Sequence, residues 1–478
     1  MTKTISVDEV SRFGTKLHFE YDVDDSAIAP PRREVPRRRR WLDRAGFYEP
    51  RPEGSASTTR QGEALNLAIS RMPSGHRGVV NGIDATNNAP VFVDQFTAYG
   101  DEISNINVAV IGDIGQAKSS LLKTVFTTRT LPLDRQVIVI DKKRQSGRGE
   151  YGIIADAVGV TSVEFNTGAG PGPRLNLLDP AISLRGDHRG SEYRPEGQAA
   201  LVAAVLEDTM GRPLSEVEKA SVTNALDLVT KEKRSRNLEP VIGDVAARML
   251  NPQNGDTDLF GPLYRDEATR WGRDVALALR RLSETDLRGL VDAPTTADVK
   301  AALDHPLVHM DVSRLPDSGP ALRVVMTLIN TWLSNRLAAR SSAFQQTEML
   351  IEEGWHVGEG STGLHLRSNM KLSRGLGLST VTAFHHISDF AADSPARALM
   401  QESSIVYIYG QARYDDAAAA ASMYQLPAGS IETIMQLGPG SCLLKIGSRD
   451  PILMRHIRSP FERQLTNTDA AIKGKAWA

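Results

Sequence analysis

The feature that most constrains this chain is a glycine-containing loop that joins a strand-like run to a helical segment. The loop reads Gly112-Asp-Ile-Gly-Gln-Ala-Lys-Ser-Ser120 and directly follows the run Ile106–Ile111. It matches the pattern G-x-x-x-x-G-K-[ST], except that Ala117 replaces the final glycine. In this pattern backbone N–H groups turn inward around a phosphate, and the N-terminus of the following helix adds a favourable dipole. A strand, this loop and a helix in that order predict a nucleotide-binding α/β domain.

The side chains of the loop have predicted tasks of their own. Lys118 can reach the β- and γ-phosphates of a nucleotide, and the Ser119 hydroxyl can ligate Mg²⁺. If residue 117 needs a positive φ, alanine costs about 1 kcal/mol there. The predicted nucleotide-binding residues are Gly112, Asp113, Ile114, Gly115, Gln116, Ala117, Lys118, Ser119 and Ser120.

A second, acidic site is expected at the end of a neighbouring buried strand. There one carboxylate holds Mg²⁺ and another activates the attacking water. The segment Glu348-Met-Leu-Ile-Glu-Glu353 has this form, an apolar strand that ends in two carboxylates. Strand alternation points the last two side chains in different directions, so Glu352 is predicted to face the metal and Glu353 to act as the general base. A solvated turn without a catalytic role is the alternative.

Changes in composition divide the chain into five predicted parts. The run Ala29–Arg40 contains six arginines and three prolines, which predicts an extended arm. This arm could contact anionic lipid or nucleic acid, or dock along its own or a neighbouring subunit. The capping box Ser215-Glu-Val-Glu218 opens one of several helices in a segment with little strand pattern. The predicted parts are a basic Pro/Arg-rich arm (1–60), the first part of an α/β core (61–195), an α-helical insertion (196–305), the second part of the core with a C-terminal β-hairpin (306–462) and a polar tail (463–478).

The overall composition excludes several classes of protein. Lysine plus arginine (56) almost balance aspartate plus glutamate (58), and the formal net charge of -2 excludes a uniformly basic nucleic-acid coat protein. The single cysteine, Cys442, excludes an internal disulfide and a thiolate metal site. No apolar run reaches the roughly 18 residues that a membrane span needs, and the N-terminus has no apolar signal core. We therefore expect a cytoplasmic protein.

Several further motifs, taken in order, resemble one family. After the loop come Val137-Ile-Val-Ile-Asp141, Gly149-Glu-Tyr151 and Arg174-Leu-Asn-Leu-Leu-Asp-Pro180, then the helical segment, Ile351-Glu-Glu-Gly-Trp355 and Thr382-Ala-Phe-His385. Over about residues 75–462 this order resembles the HerA/FtsK-type P-loop ATPases, and within them the conjugative type IV secretion ATPases of the TraC/TrbE kind. The resemblance implies a RecA-like P-loop NTPase core with a mainly parallel sheet, and ATP and Mg²⁺ as cofactors.

The resemblance also implies an oligomer and further site residues. Members of this superfamily are typically hexamers in which an arginine of the next subunit completes each nucleotide site. Arg374, with Arg367 behind it, is the predicted arginine finger; a solvated helical face is the alternative. His385 stands where the family usually has a glutamine that senses the γ-phosphate. Ala117, Glu352 in place of aspartate, and His385 are the three departures from the family pattern, and they bear on the rate of hydrolysis.

The sequence therefore predicts an ATP-hydrolysing motor of a conjugative or type IV secretion apparatus that transfers DNA or protein. Its expected partners are copies of itself and membrane subunits of that machine, with DNA contact left open. Its expected location is cytoplasmic or peripheral at the inner face of the cell membrane. Two alternatives remain: a DNA-pumping translocase of the FtsK or coupling-protein kind, and a nucleotide-binding scaffold with little hydrolysis.

Overall fold

The computed structural model describes residues 2–10, 16–24 and 78–466 of the chain, the last range with several gaps. The gaps are residues 146, 169, 171, 181–195, 303, 317–319, 340–345, 353–376, 389 and 391–393. In the parts of the chain that are described, no helix combines the length and the apolar composition that crossing a membrane requires.

Fifteen strands are present in these residues. They are β1 (Thr2–Val10), β2 (Lys16–Asp24), β3 (Val79–Asp84), β4 (Pro90–Val93), β5 (Val108–Ile111), β6 (Gln136–Asp141), β7 (Arg144–Gln145), β8 (Arg148–Gly149), β9 (Val163–Glu164), β10 (Leu307–Asp311), β11 (Thr347–Ile351), β12 (Leu378–Phe384), β13 (Ile405–Tyr409), β14 (Ser441–Ile446) and β15 (Ile452–His456).

Thirteen α-helices are described as well. They are α1 (Lys118–Lys123), α2 (Gly152–Val158), α3 (Glu196–Met210), α4 (Glu216–Ser235), α5 (Ile242–Leu250), α6 (Arg265–Trp271), α7 (Arg273–Arg281), α8 (Ala297–Ala302), α9 (Pro320–Ala339), α10 (Pro395–Gln401), α11 (Tyr414–Met423), α12 (Ser430–Gln436) and α13 (Pro460–Leu465). Thr124–Thr128 continues α1 as a π-helical turn.

Eleven of the strands form one sheet, in the order β4-β3-β15-β14-β13-β5-β12-β11-β6-β10-β9. The seven strands from β13 to β9 are parallel to their neighbours, whereas β14, β15, β3 and β4 extend the sheet in antiparallel pairs. The C-terminal hairpin predicted from the sequence is β14–β15. The α/β fold class with a mainly parallel sheet and this hairpin is confirmed.

The parallel part of the sheet is covered on both faces. All residues of β5, β6, β11, β12 and β13 are buried. Alternate residues of one strand enter two different hydrophobic clusters: Ala109 and Ile111 lie in one, and Val108 and Val110 in the other. A strand that is buried on both faces has to be apolar throughout, which is why these segments have continuous rather than alternating apolar patterns.

Helices α3 to α8 occupy most of the segment 196–305. Helix α4 begins with the predicted capping box, because the Ser215 side chain accepts from the Glu218 N–H and the Glu218 side chain accepts from the Ser215 N–H. One predicted helix, Thr269–Leu282, is wrong as a single element: α6 ends at Trp271 and α7 begins at Arg273. A Cβ on Gly272 would lie 2.5 Å from the Met249 Cε, so this break lets α5 pack closely against the junction.

The N-terminal part contains an element that the sequence did not predict. Strands β1 and β2 form an antiparallel hairpin within the segment expected to be an extended arm. The arginine-rich run at 29–40 lies outside the described residues.

Candidate nucleotide-binding site

Four neighbouring parallel strands bring the predicted site residues to one edge of the sheet. The order β5-β12-β11-β6 places the carboxyl ends of these strands side by side. The glycine-containing loop follows β5, His385 follows β12, Glu352 follows β11 and Lys143 follows β6 by two residues. Ligands of open α/β sheets bind outside the carboxyl ends of the strands, which is where these residues lie.

The backbone of the loop has the turns that a phosphate cradle needs. Gly112 has φ +150° and a Cβ there would lie 2.5 Å from the Tyr409 Cβ, while Gly115 has φ +82°. Ala117, the residue before α1, has φ +73° and ψ +25°. It therefore adopts the left-handed conformation in a position where the pattern has glycine, and the condition set for a strain of about 1 kcal/mol is met.

Lys118 turns back across the loop. Its Nζ donates to the carbonyl oxygens of Gly112 at 2.5 Å and Asp113 at 2.9 Å, and lies 3.0 Å from His385 Nδ1. An ammonium group only donates, so His385 Nδ1 acts as the acceptor. The loop lysine and the predicted γ-phosphate sensor are thus in direct contact, and only 6% of Lys118 is exposed.

The second half of the site joins α1 to the end of β11. The Ser119 hydroxyl donates to Glu352 Oε2 at 3.3 Å, and the Tyr151 hydroxyl donates to Glu352 Oε1 at 2.8 Å. Lys143 Nζ lies 3.2 Å from Ser119 Oγ and 3.5 Å from Glu352 Oε2. The Glu352 carboxylate is buried but has hydrogen-bond or ionic partners on three sides, as a buried charge requires.

These donors fit a magnesium ion. Mg²⁺ prefers oxygen ligands, and it is usually held by one or two protein oxygens together with water and phosphate oxygens. The Ser119 hydroxyl and the Glu352 carboxylate supply two oxygens of the right kind, directly below the loop that would hold the phosphates. No other cluster of histidine, cysteine, aspartate and glutamate able to hold a metal is found among the described residues.

A set of buried charges surrounds Glu352. Lys123 of α1 forms an ion pair with Glu150 at 2.9 Å, and its Nζ lies 5.2 Å from the centre of the Tyr151 ring. Burial raises the pKa of Glu150, and the charge of Lys123 opposes that rise. Burial, followed by the charge of Glu352, raises the pKa of Tyr151 well above its ordinary value, so the Tyr151 hydroxyl keeps the proton it donates.

Hydrogen bonds continue from Tyr151 towards the far edge of the sheet. The Tyr151 N–H donates to Asp141 Oδ2 at 2.8 Å, and the same oxygen lies 3.1 Å from His309 Nε2. Burial raises the pKa of Asp141, and its hydrogen bond with His309 opposes the rise. A Cβ on Gly149 would lie 2.4 Å from Asp141 Oδ2, so only glycine fits beside this carboxylate. The segment Gly149-Glu-Tyr151 is therefore locked against the end of β6.

Asp113 holds the start of the loop against the segment after β13. The Asp113 N–H donates to the Gly410 carbonyl at 3.0 Å, and its Oδ2 accepts from the Ala412 N–H at 2.7 Å. His386 Nδ1 lies 3.4 Å from Asp113 Oδ1 and 3.1 Å from Asp416 Oδ2. The two adjacent histidines after β12 thus contact different parts of the loop.

The remaining predicted residues have different outcomes. Ile114 is 80% exposed, and the carbonyl of Gln116 accepts from the Gly440 N–H at 3.1 Å. Ser120 Oγ accepts from Arg458 at 3.1 Å. Glu353, Arg367 and Arg374 lie outside the described residues, so their predicted roles stay predictions. Sequence reasoning missed Lys143; its place just after the buried strand β6 was the available signal.

Comparison with solved structures shows what this arrangement is similar to. VirB4 of Thermoanaerobacter pseudethanolicus superposes with a TM-score of 0.66 over 82% of this chain and 100% of that chain, at 19% sequence identity. The chain has the VirB4 fold. No family profile and no curated protein sequence matches the chain.

A second solved structure gives a weaker match. The bacterial conjugative coupling protein TrwBdeltaN70 superposes with a TM-score of 0.50 over 83% of this chain and 91% of that chain, at 13% identity. At such identities the likeness fixes the arrangement of elements, a RecA-like P-loop NTPase core, which confirms the predicted fold. The chemistry has to be argued from this chain's own VirB4-fold site.

Proposed function

We propose that this protein is an ATPase that binds Mg-ATP in the loop Gly112–Ser120 and hydrolyses it as the motor of a conjugative or type IV secretion apparatus. The observation that carries the proposal is the convergence of Lys118, Ser119 and Glu352 at the carboxyl edge of the sheet. The three side chains come from two strand ends far apart in sequence, and a phosphate loop, a hydroxyl and a buried carboxylate are the parts that phosphoryl transfer requires.

The described residues divide the binding tasks. Backbone N–H groups of the loop and the Lys118 ammonium bind the phosphates, and the Ser119 hydroxyl with the Glu352 carboxylate would hold Mg²⁺. When bound, the ion neutralises charge that develops on the transferred phosphoryl group. Tyr151 keeps Glu352 oriented through a hydrogen bond of 2.8 Å. His385, already 3.0 Å from the Lys118 ammonium, is placed to contact a γ-phosphate or the attacking water.

Two predicted residues complete the chemistry. Glu353 follows Glu352 directly and is proposed as the general base that takes a proton from the attacking water. Arg374, with Arg367 behind it, is proposed to act from the neighbouring subunit and to stabilise charge on the phosphoryl group. An arginine supplied in this way requires an oligomer, and we propose a hexamer. Mixing Lys118→Ala subunits with Arg374→Ala subunits should restore activity, because each mixed interface can combine one intact loop with one intact arginine.

The biological setting is proposed from the fold. VirB4, whose fold this chain has, and the coupling protein TrwB, described as conjugative, both support a role in a conjugation or secretion machine. We propose membrane subunits of such a machine as partners, and a location in the cytoplasm or at the inner face of the membrane. Either DNA or protein could be the transferred substrate.

One other function has an observation in its favour. Ala117 adopts a left-handed conformation that alanine disfavours, and Glu352 and His385 also depart from the family pattern. These departures favour a scaffold that binds ATP for assembly and turns it over slowly.

Steady-state hydrolysis with and without DNA separates the candidates. Turnover that DNA does not change supports the secretion motor, and DNA-stimulated turnover supports a translocase. Tight binding of a fluorescent ATP analogue without turnover supports the scaffold. No binding of Mg-ATP by the wild type, at a level that Lys118→Ala does not alter, would overturn the proposal.

A further inference from the structure

A second lysine reaches the predicted magnesium ligands from a different strand. Lys143 follows β6, and its Nζ lies 3.2 Å from Ser119 Oγ and 3.5 Å from Glu352 Oε2. Its side chain is 30% exposed, whereas the Glu352 side chain is 1% exposed. The ammonium therefore extends inward from the rim and neutralises a carboxylate that is almost wholly buried.

The phosphate-loop pattern gives this lysine no task. The lysine of the pattern is Lys118, and it contacts the loop carbonyls and His385 instead of Glu352. The neighbouring Lys142 is directed elsewhere, because its Nζ donates to the Leu315 carbonyl at 2.6 Å. Lys143 is thus the lysine of this strand end that contacts both the hydroxyl and the carboxylate expected to hold a divalent cation.

We propose that Lys143 makes the site select the metal–nucleotide complex over the free divalent cation. The proposal rests on the proposed function, since it takes Ser119 and Glu352 as ligands of Mg²⁺. One carboxylate paired with one ammonium offers no net charge to a free cation, and the ammonium repels it at short range. A metal–nucleotide complex carries net negative charge, so its phosphate oxygens can pair with the same ammonium.

The surroundings give Lys143 an alternative partner when the complex binds. The charges of Lys143 and of Glu352 both act on the Glu150 carboxylate, which also forms the 2.9 Å ion pair with Lys123. A small rotation of the lysine side chain can therefore exchange Glu352 for Glu150 or for a phosphate oxygen without leaving the ammonium unpaired. Lys143 acts as a removable counter-charge.

Binding of Mn²⁺ alone, measured by electron paramagnetic resonance on nucleotide-free protein, tests the proposal without using turnover. Lys143→Met should bind Mn²⁺ at least about tenfold more tightly than the wild type, because the repelling charge is gone. Lys143→Gln should behave in the same way and serves if the methionine variant folds poorly. Lys143→Arg, which keeps the charge, and Lys142→Met, which removes the neighbouring charge, should both match the wild type.

Two further arms give the result a single meaning. In a Glu352→Gln background, Lys143→Met should give no gain in Mn²⁺ affinity, because the carboxylate that the cation would use is missing. Wild-type Mn²⁺ affinity in both neutral Lys143 variants, alongside normal binding of a fluorescent ATP analogue with Mg²⁺ to the wild type, overturns the proposal and leaves the function intact. Failure of the wild type to bind the analogue with Mg²⁺ overturns the proposed function, and this proposal with it.

Discussion

The Ser119 hydroxyl lies 3.3 Å from the Glu352 carboxylate, although 233 residues separate the two in sequence. The contact exists because β5 and β11 are both next to β12 in the sheet, so the start of α1 and the end of β11 meet at one edge. Tyr151 and Lys143 close the arrangement from the end of β6. The proposed magnesium site is therefore assembled by the order of the strands.

Removal of either proposed magnesium ligand should raise the Mg²⁺ requirement for hydrolysis. Ser119→Ala and Glu352→Gln are each expected to increase the Mg²⁺ concentration for half-maximal activity by about tenfold or more. The double variant should be much less than additive, since the two groups act on one ion. A Mg²⁺ titration of ATPase activity measures both effects. An unchanged Mg²⁺ requirement in both single variants would show that the ion is held elsewhere.

The Tyr151 hydroxyl is expected to matter for turnover more than for binding. Tyr151→Phe removes the hydrogen bond that orients Glu352, and we expect kcat to fall about tenfold while nucleotide affinity changes by less than about twofold. Tyr407→Phe is a matched control, because that buried hydroxyl donates to Asn81 Oδ1 at 2.5 Å, away from the loop. Equal kcat losses in both variants would indicate a general packing effect.

Ala117 should be a site of strain that glycine relieves. At φ +73°, Ala117→Gly is expected to raise the free energy of unfolding by about 1 kcal/mol without loss of nucleotide binding. Ala418→Gly, in the middle of α11, should lower it by about 0.5–1 kcal/mol, because glycine disfavours helix interiors. Denaturant unfolding of the two variants checks the opposite signs. A destabilised Ala117→Gly variant would contradict the strain.

Glu348 should make stability depend on pH. This buried carboxyl lies 3.4 Å from Arg135, which also binds Asp94, and burial raises the pKa of Glu348 from 4.5 to about 8. Because the folded pKa is above the unfolded one, its contribution to stability is present below about pH 4.5 and is lost as the pH rises through about 8. That loss is on the order of a few kcal/mol.

Comparison of Glu348→Gln with an exposed control isolates this effect. Between about pH 4.5 and 8 the free energy of unfolding should fall less steeply in Glu348→Gln than in the wild type. Glu432→Gln, on the exposed part of α12, should keep the wild-type slope. Identical slopes in all three proteins would mean that Glu348 is ionised when buried.

The sequence predicted the loop and the parallel core well because their signals are local. A continuous apolar run can only be a strand covered on both faces, and the spacing from Gly112 to Lys118 is set by the phosphate it encloses. The contacts of Lys143 and Tyr151 with Glu352 could not be predicted, because they depend on which strands are neighbours. The break at Gly272 was missed since a glycine inside a helical pattern is often tolerated.

The central claim is that this chain hydrolyses Mg-ATP with Lys118 as the phosphate-binding residue and Glu353 as the base. Steady-state ATP hydrolysis by the purified wild type, Lys118→Ala and Glu353→Gln proteins tests it most directly. We expect measurable turnover in the wild type and a loss of at least about 100-fold in both variants, with Glu353→Gln still binding Mg-ATP. Turnover that survives both substitutions, or a wild type that binds Mg-ATP without hydrolysing it, would contradict the claim.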